Sequence, residues 1–127
     1  MEMNAWRVLV VEDEYDSVQM VSKILRHNGI ETEVVHNGEE CMVFLEANRL
    51  PSLVVMDLSM PHMDGWQTLA AIRSNPDTAH LPVIAMTAYD SALVAEDAYR
   101  AGFQHFFAKP IHPLEFIEVV TEILQNN

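Results

Sequence analysis

The chain has 127 residues, enough for one domain to bury a core without disulfide bonds, and we expect a single domain over residues 1–127. Its 19 acidic and 7 basic residues give a net charge of −12, which argues against direct nucleic-acid binding because phosphate contacts need clustered Lys and Arg. No apolar run approaches the roughly 20 residues of a membrane span, so we expect no membrane partner.

The start of the chain and its cysteine content bear on the cellular compartment. Residues Met1–Ala5 lead directly into the apolar run Trp6–Val11, which leaves no room for a signal peptide. Cys41 is the single cysteine, so no internal disulfide can form, as is usual in a reducing compartment. We therefore expect a cytoplasmic protein.

Strand-like and helix-like segments alternate five times along the chain. Trp6–Val11 ends in an acidic turn, and apolar residues then recur at helical spacing until Asn28–Gly29. The other predicted strands are Ile30–Val35, Leu53–Asp57, Pro82–Met86 and His105–Ala108. The other predicted helices follow Asn37–Gly38, span about Gly65–Ser74, pass through Ala92–Ala101 to a Gly102 cap, and span about Pro113–Gln125.

This alternation predicts an α/β fold, in which a parallel sheet is joined by right-handed crossovers and covered by helices on both faces. The arrangement that best fits the number of strands and helices is a flavodoxin-like, doubly wound five-stranded sheet with strand order 2-1-3-4-5. In open sheets of this kind, ligands bind outside the carboxyl ends of the strands. The residues at those ends are therefore the candidates for a functional site.

Charged and hydroxyl side chains stand at four of these strand ends. Leu53–Asp57 has four apolar residues before the carboxylate, as expected for a strand that is buried on both faces. Glu12 and Asp13 follow the first strand, Thr87 follows the fourth and Lys109 follows the fifth. Because these strands are neighbours in the predicted order, we expect the side chains to meet in one pocket.

Three carboxylates in one pocket would repel one another, by about 4 kcal/mol for a pair at 4 Å in an effective dielectric near 20. A hard divalent cation with oxygen ligands relieves this repulsion, and no His or Cys lies at a spacing that favours zinc. Mg²⁺ fits such a site. With the cation in place, Asp57 is positioned to attack phosphorus, while Thr87 and Lys109 contact the phosphoryl oxygens.

The same residues match a known family. From Arg7 to Leu124, the chain resembles the receiver (phosphoacceptor) domain of two-component response regulators. The motifs that carry the resemblance are Glu12–Asp13, Met56–Asp57, Met60–Pro61, Asp64–Gly65, Thr87–Ala88 and Lys109–Pro110. Each motif is short, but together they occur in the family's order and at predicted strand ends.

The resemblance implies a function in phosphorelay signalling. Asp57 would accept a phosphoryl group from a sensor histidine kinase or a histidine phosphotransfer protein. The domain would be no enzyme beyond catalysing its own Mg²⁺-dependent phosphorylation and dephosphorylation. Thr87 and Lys109 would bind the phosphoryl group. The residues implied to hold Mg²⁺ are Glu12, Asp13, Asp57 and, through its backbone carbonyl, Ser59.

The resemblance also assigns residues to conformational switching and to phosphoryl lifetime. Thr87 and Phe106 would form the switch, with Phe106 lacking the hydroxyl of the Tyr that is commoner at this position. Ser59 and Tyr89 occupy the variable positions that tune phosphoryl lifetime. Lys109–Pro110 matches the family's cis peptide bond, an isomer that costs only about 0.5 to 1 kcal/mol before proline.

Three alternatives fit parts of the pattern. A haloacid-dehalogenase-like phosphatase also uses an aspartyl nucleophile, but it needs a second Asp two residues later, where this chain has Ser59. A flavodoxin-like FMN carrier needs a hydroxyl-rich phosphate loop, where the acidic run Glu12–Glu14 would repel phosphate. A degenerate receiver that acts as a scaffold is disfavoured because every expected polar residue is present.

The sequence says less about the output of the domain. The apolar residues of the last helix cover an arc of about 160° at 100° per residue, which suits a well-buried helix or a surface for a downstream protein target or homodimer. The chain ends at Asn127 without an effector-like segment. It is therefore expected to be either a stand-alone receiver or part of a longer regulator.

Overall fold

The computed structural model describes residues 6–88 and 92–126, in which five strands alternate with five helices. The strands are β1 (Arg7–Val11), β2 (Glu31–Val35), β3 (Leu53–Asp57), β4 (Val83–Thr87) and β5 (His105–Ala108). The helices are α1 (Tyr15–His27), α2 (Gly38–Ala47), α3 (Gly65–Ser74), α4 (Ala92–Ala101) and α5 (Pro113–Gln125). These bounds confirm the predicted α/β alternation.

The five strands form one parallel sheet in the order β2-β1-β3-β4-β5, which confirms the predicted flavodoxin-like topology. The register places Asp57 beside Met86 and Thr87 beside Ala108. The carboxyl ends of neighbouring strands are therefore nearly level. Side chains that follow them project from the same edge of the sheet.

Both faces of the sheet are covered, which explains the unbroken apolar runs in its central strands. Val8 and Val10 lie in a cluster with residues of α1 and α5, whereas Leu9 and Val11 lie in a cluster with residues of α2, α3 and α4. All four side chains are fully buried. Because the strand interiors are filled with apolar side chains, a polar site has room only at the strand ends.

The N-terminus of α3 is fastened close to the end of β3. Asp64 and Gln67 form a capping box, in which each side chain accepts a hydrogen bond from the other residue's backbone N–H, over 2.8 and 3.0 Å. Gly65 lies so near the strand that a Cβ on it would come within 2.6 Å of the carbonyl oxygen of Asp57. Together these contacts fix the path of the loop that follows Asp57.

The strand boundaries differ slightly from the predicted ones. β1 and β2 each begin one residue later, and β4 begins at Val83 and includes Thr87. Pro82 stays outside β4 because proline has no N–H to donate to a ladder, although its carbonyl accepts a hydrogen bond from the N–H of Val54. Within the described residues, no helix has the length and apolar character needed to cross a membrane.

Candidate functional site

Four strand ends bring candidate side chains to one edge of the sheet. Glu12 directly follows β1, Asp57 and Thr87 are the last residues of β3 and β4, and Lys109 directly follows β5. The backbone N–H of Lys109 donates to the carbonyl of Thr87 over 2.8 Å, which holds the end of β5 against β4. The peptide bond between Lys109 and Pro110 is cis, as the resemblance implies.

Lys109 links the carboxylates of this edge. Its Nζ lies 2.6 Å from Glu12 Oε1, 3.4 Å from Asp57 Oδ2 and 3.6 Å from Glu14 Oε1. Glu12 and Asp57 are 97 and 52 residues from Lys109 in the sequence, so the fold alone brings them together. The predicted pocket is therefore present, with one ammonium group among several carboxylates.

Burial and charge act in opposite directions on Glu12 and Lys109. Burial raises the pKa of Glu12 to about 7; the hydrogen bond from Lys109 opposes this rise, and the charge of Asp57 adds to it. Burial alone would lower the pKa of Lys109, but its hydrogen bond to Glu12 and the charges of the surrounding carboxylates raise it overall. The fully buried carboxyl group of Glu12 is thus hydrogen-bonded to the Lys109 ammonium group, which remains protonated.

Three carboxylates form a group with the geometry of a cation site. Oxygen atoms of Glu12, Asp13 and Asp57 all lie within 4.8 Å of one another. Glu12 and Asp57 are buried, whereas Asp13 is exposed and open to solvent. An all-oxygen ligand set suits hard divalent ions such as Mg²⁺ and Mn²⁺, so these residues fit the predicted cation.

The surroundings of Asp57 include two further predicted residues. The backbone N–H of Ser59 donates to Asp57 Oδ1 over 3.2 Å, so Ser59 borders the carboxylate, and contact of its carbonyl with a cation stays a prediction. Thr87 is almost fully buried at the end of β4, next to β3. Tyr89 lies outside the described residues.

Two adjacent phenylalanines of β5 point to opposite faces of the sheet. Phe107 is 4% exposed and packs on the α1 and α5 side, with its ring centroid 5.2 Å from that of Phe116, so it belongs to the core. Phe106 is partly buried against the cluster formed with α2, α3 and α4. Its part in a conformational switch stays a prediction.

Glu14 also contacts the site and was absent from the predicted set. Its Oε1 accepts a hydrogen bond from Ser17 Oγ over 2.6 Å while lying 3.6 Å from Lys109 Nζ. The hydrogen bond from Ser17, followed by the charge of Lys109, lowers the pKa of Glu14. In the sequence, the feature that could have identified Glu14 as a site residue is its position as the third consecutive acid after β1. The helical pattern indicated only that Glu14 precedes α1.

Comparisons with known proteins agree with this geometry. Residues 8–121 match the family model described as the response regulator receiver domain. An uncharacterised 14.6 kDa protein from Leptolyngbya boryana is 36% identical over 115 residues, with 91% of this chain and 87% of that protein covered. Regulatory protein AtoC of Escherichia coli is 36% identical over 119 residues, which include 94% of this chain but 25% of AtoC. The chain thus spans most of one relative and a quarter of the other.

Solved structures give the same result. The signal receiver domain of a signal transduction histidine kinase from Syntrophus aciditrophicus has 30% sequence identity and a TM-score of 0.87, with 96% of this chain and 92% of that chain covered. The Mn²⁺-bound form of response regulator Rcp1 has 25% identity and a TM-score of 0.78, with coverages of 93% and 91%. Because the family model matches most of the chain and the fold and strand-end residues agree with it, the chain belongs to the response regulator receiver domain family.

Proposed function

We propose that this receiver domain, a phosphorylation-activated switch of two-component signalling, accepts its phosphoryl group on Asp57. The donor is the phosphohistidine of a sensor histidine kinase or of a histidine phosphotransfer protein, and the reaction takes place in the cytoplasm with Mg²⁺. The observation that carries the proposal is the 3.4 Å distance between Lys109 Nζ and Asp57 Oδ2 in a pocket that also holds the carboxylates of Glu12 and Asp13.

The chemistry is a phosphoryl transfer from nitrogen to oxygen. An oxygen of Asp57 forms a bond to phosphorus, the bond between phosphorus and the donor imidazole breaks, and the imidazole nitrogen keeps the electron pair and takes a proton. Lys109 lies close enough to neutralise a phosphoryl oxygen, and the Thr87 hydroxyl donates to another. The domain acts on no substrate other than its own phosphoryl group.

Glu12, Asp13 and Asp57 are the side chains that would hold Mg²⁺, with the Ser59 carbonyl as a further ligand. When bound, Mg²⁺ supplies positive charge that offsets the carboxylates and the phosphoryl oxygens. The site is otherwise poorly suited to an anionic donor, because Lys109 is a single positive charge among the carboxylates of Glu12, Glu14 and Asp57.

Phosphorylation would reach a partner through the elements next to the site. Phe106 pairs with Ala85, two residues before Thr87 on β4, so Thr87 and Phe106 are diagonal neighbours on one face of the sheet. A shift of Thr87 toward a phosphoryl group would therefore change the space available to that ring. In α5, Phe116, Val120 and Leu124 are buried. The partly buried remainder of its apolar arc would contact a downstream protein target or a second copy.

The direct test is phosphorylation with a small donor. Wild-type protein in Mg²⁺ and acetyl phosphate gains the mass of one phosphoryl group, and Asp57→Asn gains none because its amide is not a nucleophile. Asp77→Asn, which removes an exposed carboxylate elsewhere, behaves like the wild type. Equal labelling of the wild type and Asp57→Asn, or no labelling of either, would rule out Asp57 as the acceptor.

A further inference from the structure

A carboxylate outside the proposed cation site contacts Lys109. Glu14 Oε1 lies 3.6 Å from Lys109 Nζ, whereas the clustered carboxylates are those of Glu12, Asp13 and Asp57. Ser17 Oγ donates to the same Glu14 oxygen over 2.6 Å, so the first turn of α1 holds the carboxylate in place. Glu14 is therefore fixed beside the catalytic ammonium without belonging to the group that would bind metal.

This placement gives Glu14 a different relation to Lys109 from the other carboxylates. Among the described residues, the carboxylates within 4.0 Å of Lys109 Nζ are those of Glu12, Asp57 and Glu14. A cation at the proposed site takes up oxygen atoms of Glu12 and Asp57, and so competes with Lys109 for them. Glu14 keeps its contact, and an ammonium group has three protons to share between it and a phosphoryl oxygen.

Glu14 also lines a groove beside Lys109. A groove of about 340 Å³ runs alongside Lys109 between the start of α1 and the segment after β5, and Glu14 and Asp16 are among its lining residues. The other walls include the apolar side chains of Met20 and Ile111. Of the two carboxylates in this groove, Glu14 is the one that lies within 4.0 Å of Lys109 Nζ.

We propose that Glu14 is a positioning and donor-selecting residue: it holds the Lys109 ammonium at the mouth of the Asp57 site and disfavours phosphodonors of high negative charge. The inference rests on the proposed function of Asp57 as phosphoacceptor. The negative charge of Glu14 repels the donor, and this repulsion slows a dianionic donor more than a donor of net charge −1.

Donor charge provides the test. Acetyl phosphate carries two negative charges near neutral pH, and phosphoramidate carries a net charge of one. In Mg²⁺ at low salt, Glu14→Gln raises the initial rate roughly fivefold with acetyl phosphate and only about twofold with phosphoramidate, as expected for removal of a unit charge about 8 Å from the donor's charge in water. In about 1 M salt, where the Debye length is about 3 Å, the difference between the donors disappears.

The matched control is Asp16→Asn. It removes one charge from the same groove, but Asp16 forms no ion pair with Lys109 in the described part of the chain. Its rates therefore stay close to those of the wild type with both donors. The side-chain oxygen in Glu14→Gln can still accept the hydrogen bond from Ser17, so the first turn of α1 is kept.

A second readout needs neither metal nor phosphorylation. Lys23 and Lys109 are the only lysines of the chain, so labelling lysine with ¹³C at Cε gives two NMR signals. In metal-free protein, Glu14→Gln and Ser17→Ala shift and sharpen the Lys109 signal, while Asp16→Asn leaves it in place. Lys23 serves as the internal reference in every variant.

The outcomes separate the two proposals. If the wild type is phosphorylated but Glu14→Gln matches Asp16→Asn in donor preference and in the Lys109 signal, the role of Glu14 is overturned while that of Asp57 stands. If the wild type accepts no phosphoryl group from either donor, the proposed function fails, and the donor-selecting role fails with it.

Discussion

Glu12 is the side chain in which burial and function oppose each other most directly. Its carboxylate is completely buried and receives hydrogen bonds from Lys109 Nζ over 2.6 Å and from the backbone N–H of Glu14 over 3.1 Å. Two hydrogen bonds only partly replace the water that the carboxylate loses, so its pKa rises to about 7. Folding therefore maintains a partly protonated acid where a cation would need an ionised one.

This pKa predicts a pH dependence of stability in metal-free protein. The unfolded chain loses the Glu12 proton near pH 4.5 and the folded chain near pH 7, so the free energy of unfolding falls as pH rises between these values. The loss is at most about 3 to 4 kcal/mol, from about 1.4 kcal/mol per pKa unit. Urea unfolding in a chelator across pH 4.5 to 7 measures it.

Glu12→Gln removes the group responsible for this fall. The variant's free energy of unfolding loses most of its slope over the same pH range, because an amide does not titrate. Glu33→Gln, at an exposed position of β2, keeps the wild-type slope. An unchanged slope in Glu12→Gln would show that another group controls the pH dependence.

The junction between β3 and α3 sets the position of Asp57 through tight backbone packing. A Cβ on Gly65 would lie 2.6 Å from the carbonyl oxygen of Asp57 and 2.8 Å from the Cα of Leu58, both of which are backbone atoms that cannot rotate away. The N–H of Gly65 also donates to the carbonyl of Leu58 over 3.0 Å. Any side chain here must push the helix away from the strand.

Gly65→Ala therefore lowers both stability and phosphorylation. We expect a loss of roughly 1 to 3 kcal/mol in the free energy of unfolding, as for other overpacked sites, and a slower reaction with acetyl phosphate because Asp57 is displaced. The comparison is Gly29→Ala, where φ is +76° and nothing lies within 4 Å of the added Cβ. That variant loses about 1 kcal/mol through backbone strain at the far end of α1, with an unchanged rate.

If the phosphorylation rates of Gly65→Ala and Gly29→Ala fell equally, the result would contradict this account. It would mean that lost stability, and not a displaced Asp57, slows the reaction. Chemical denaturation and single-turnover labelling of the same preparations distinguish these outcomes.

The bounds of β3, β5, α3 and α5 were predicted as observed, whereas those of β1, β2 and β4 differ by one residue. α3 and α5 have the bounds that Gly65, Ser74, Pro113 and Gln125 indicated, because turn residues and apolar spacing are local features of the sequence. The start of β4 depends on pairing with β3, where Pro82 accepts a hydrogen bond but cannot donate one. Such pairing is not readable from a single segment.

Strand order accounts for what could be predicted of the site. Neighbouring strands lie about 4.8 Å apart, and β4 separates β3 from β5, so the strand order places the ends that carry Asp57 and Lys109 about 10 Å apart, within reach of the long lysine side chain. The strand order does not predict which of the side chains in the pocket lie nearest to one another. Lys109 lies nearer to Glu12 than to Asp57, and the Glu14 oxygen that faces Lys109 also accepts a hydrogen bond from Ser17. These details follow from side-chain rotamers and burial, which the sequence pattern does not contain.

For the molecule as a whole, the net charge of −12 and the carboxylates at the sheet edge predict that a divalent cation stabilises the fold. Mg²⁺ at about 100 times its dissociation constant adds about 2.7 kcal/mol, because it binds the folded state and not the unfolded chain. For a chain of this length, the corresponding rise in Tm is roughly 10 °C. Thermal unfolding followed by circular dichroism measures it.

Two controls separate binding at the site from general screening of charge. NaCl at matched ionic strength reduces repulsion over the whole surface and raises Tm much less than Mg²⁺ does. Asp13→Asn removes an exposed carboxylate of the cluster and most of the Mg²⁺ effect, whereas Asp97→Asn changes the net charge equally on α4 and retains it. If Mg²⁺ raised the Tm of Asp13→Asn as much as that of the wild type, the cation would be stabilising the acidic surface as a whole, and the carboxylate cluster would not be its site.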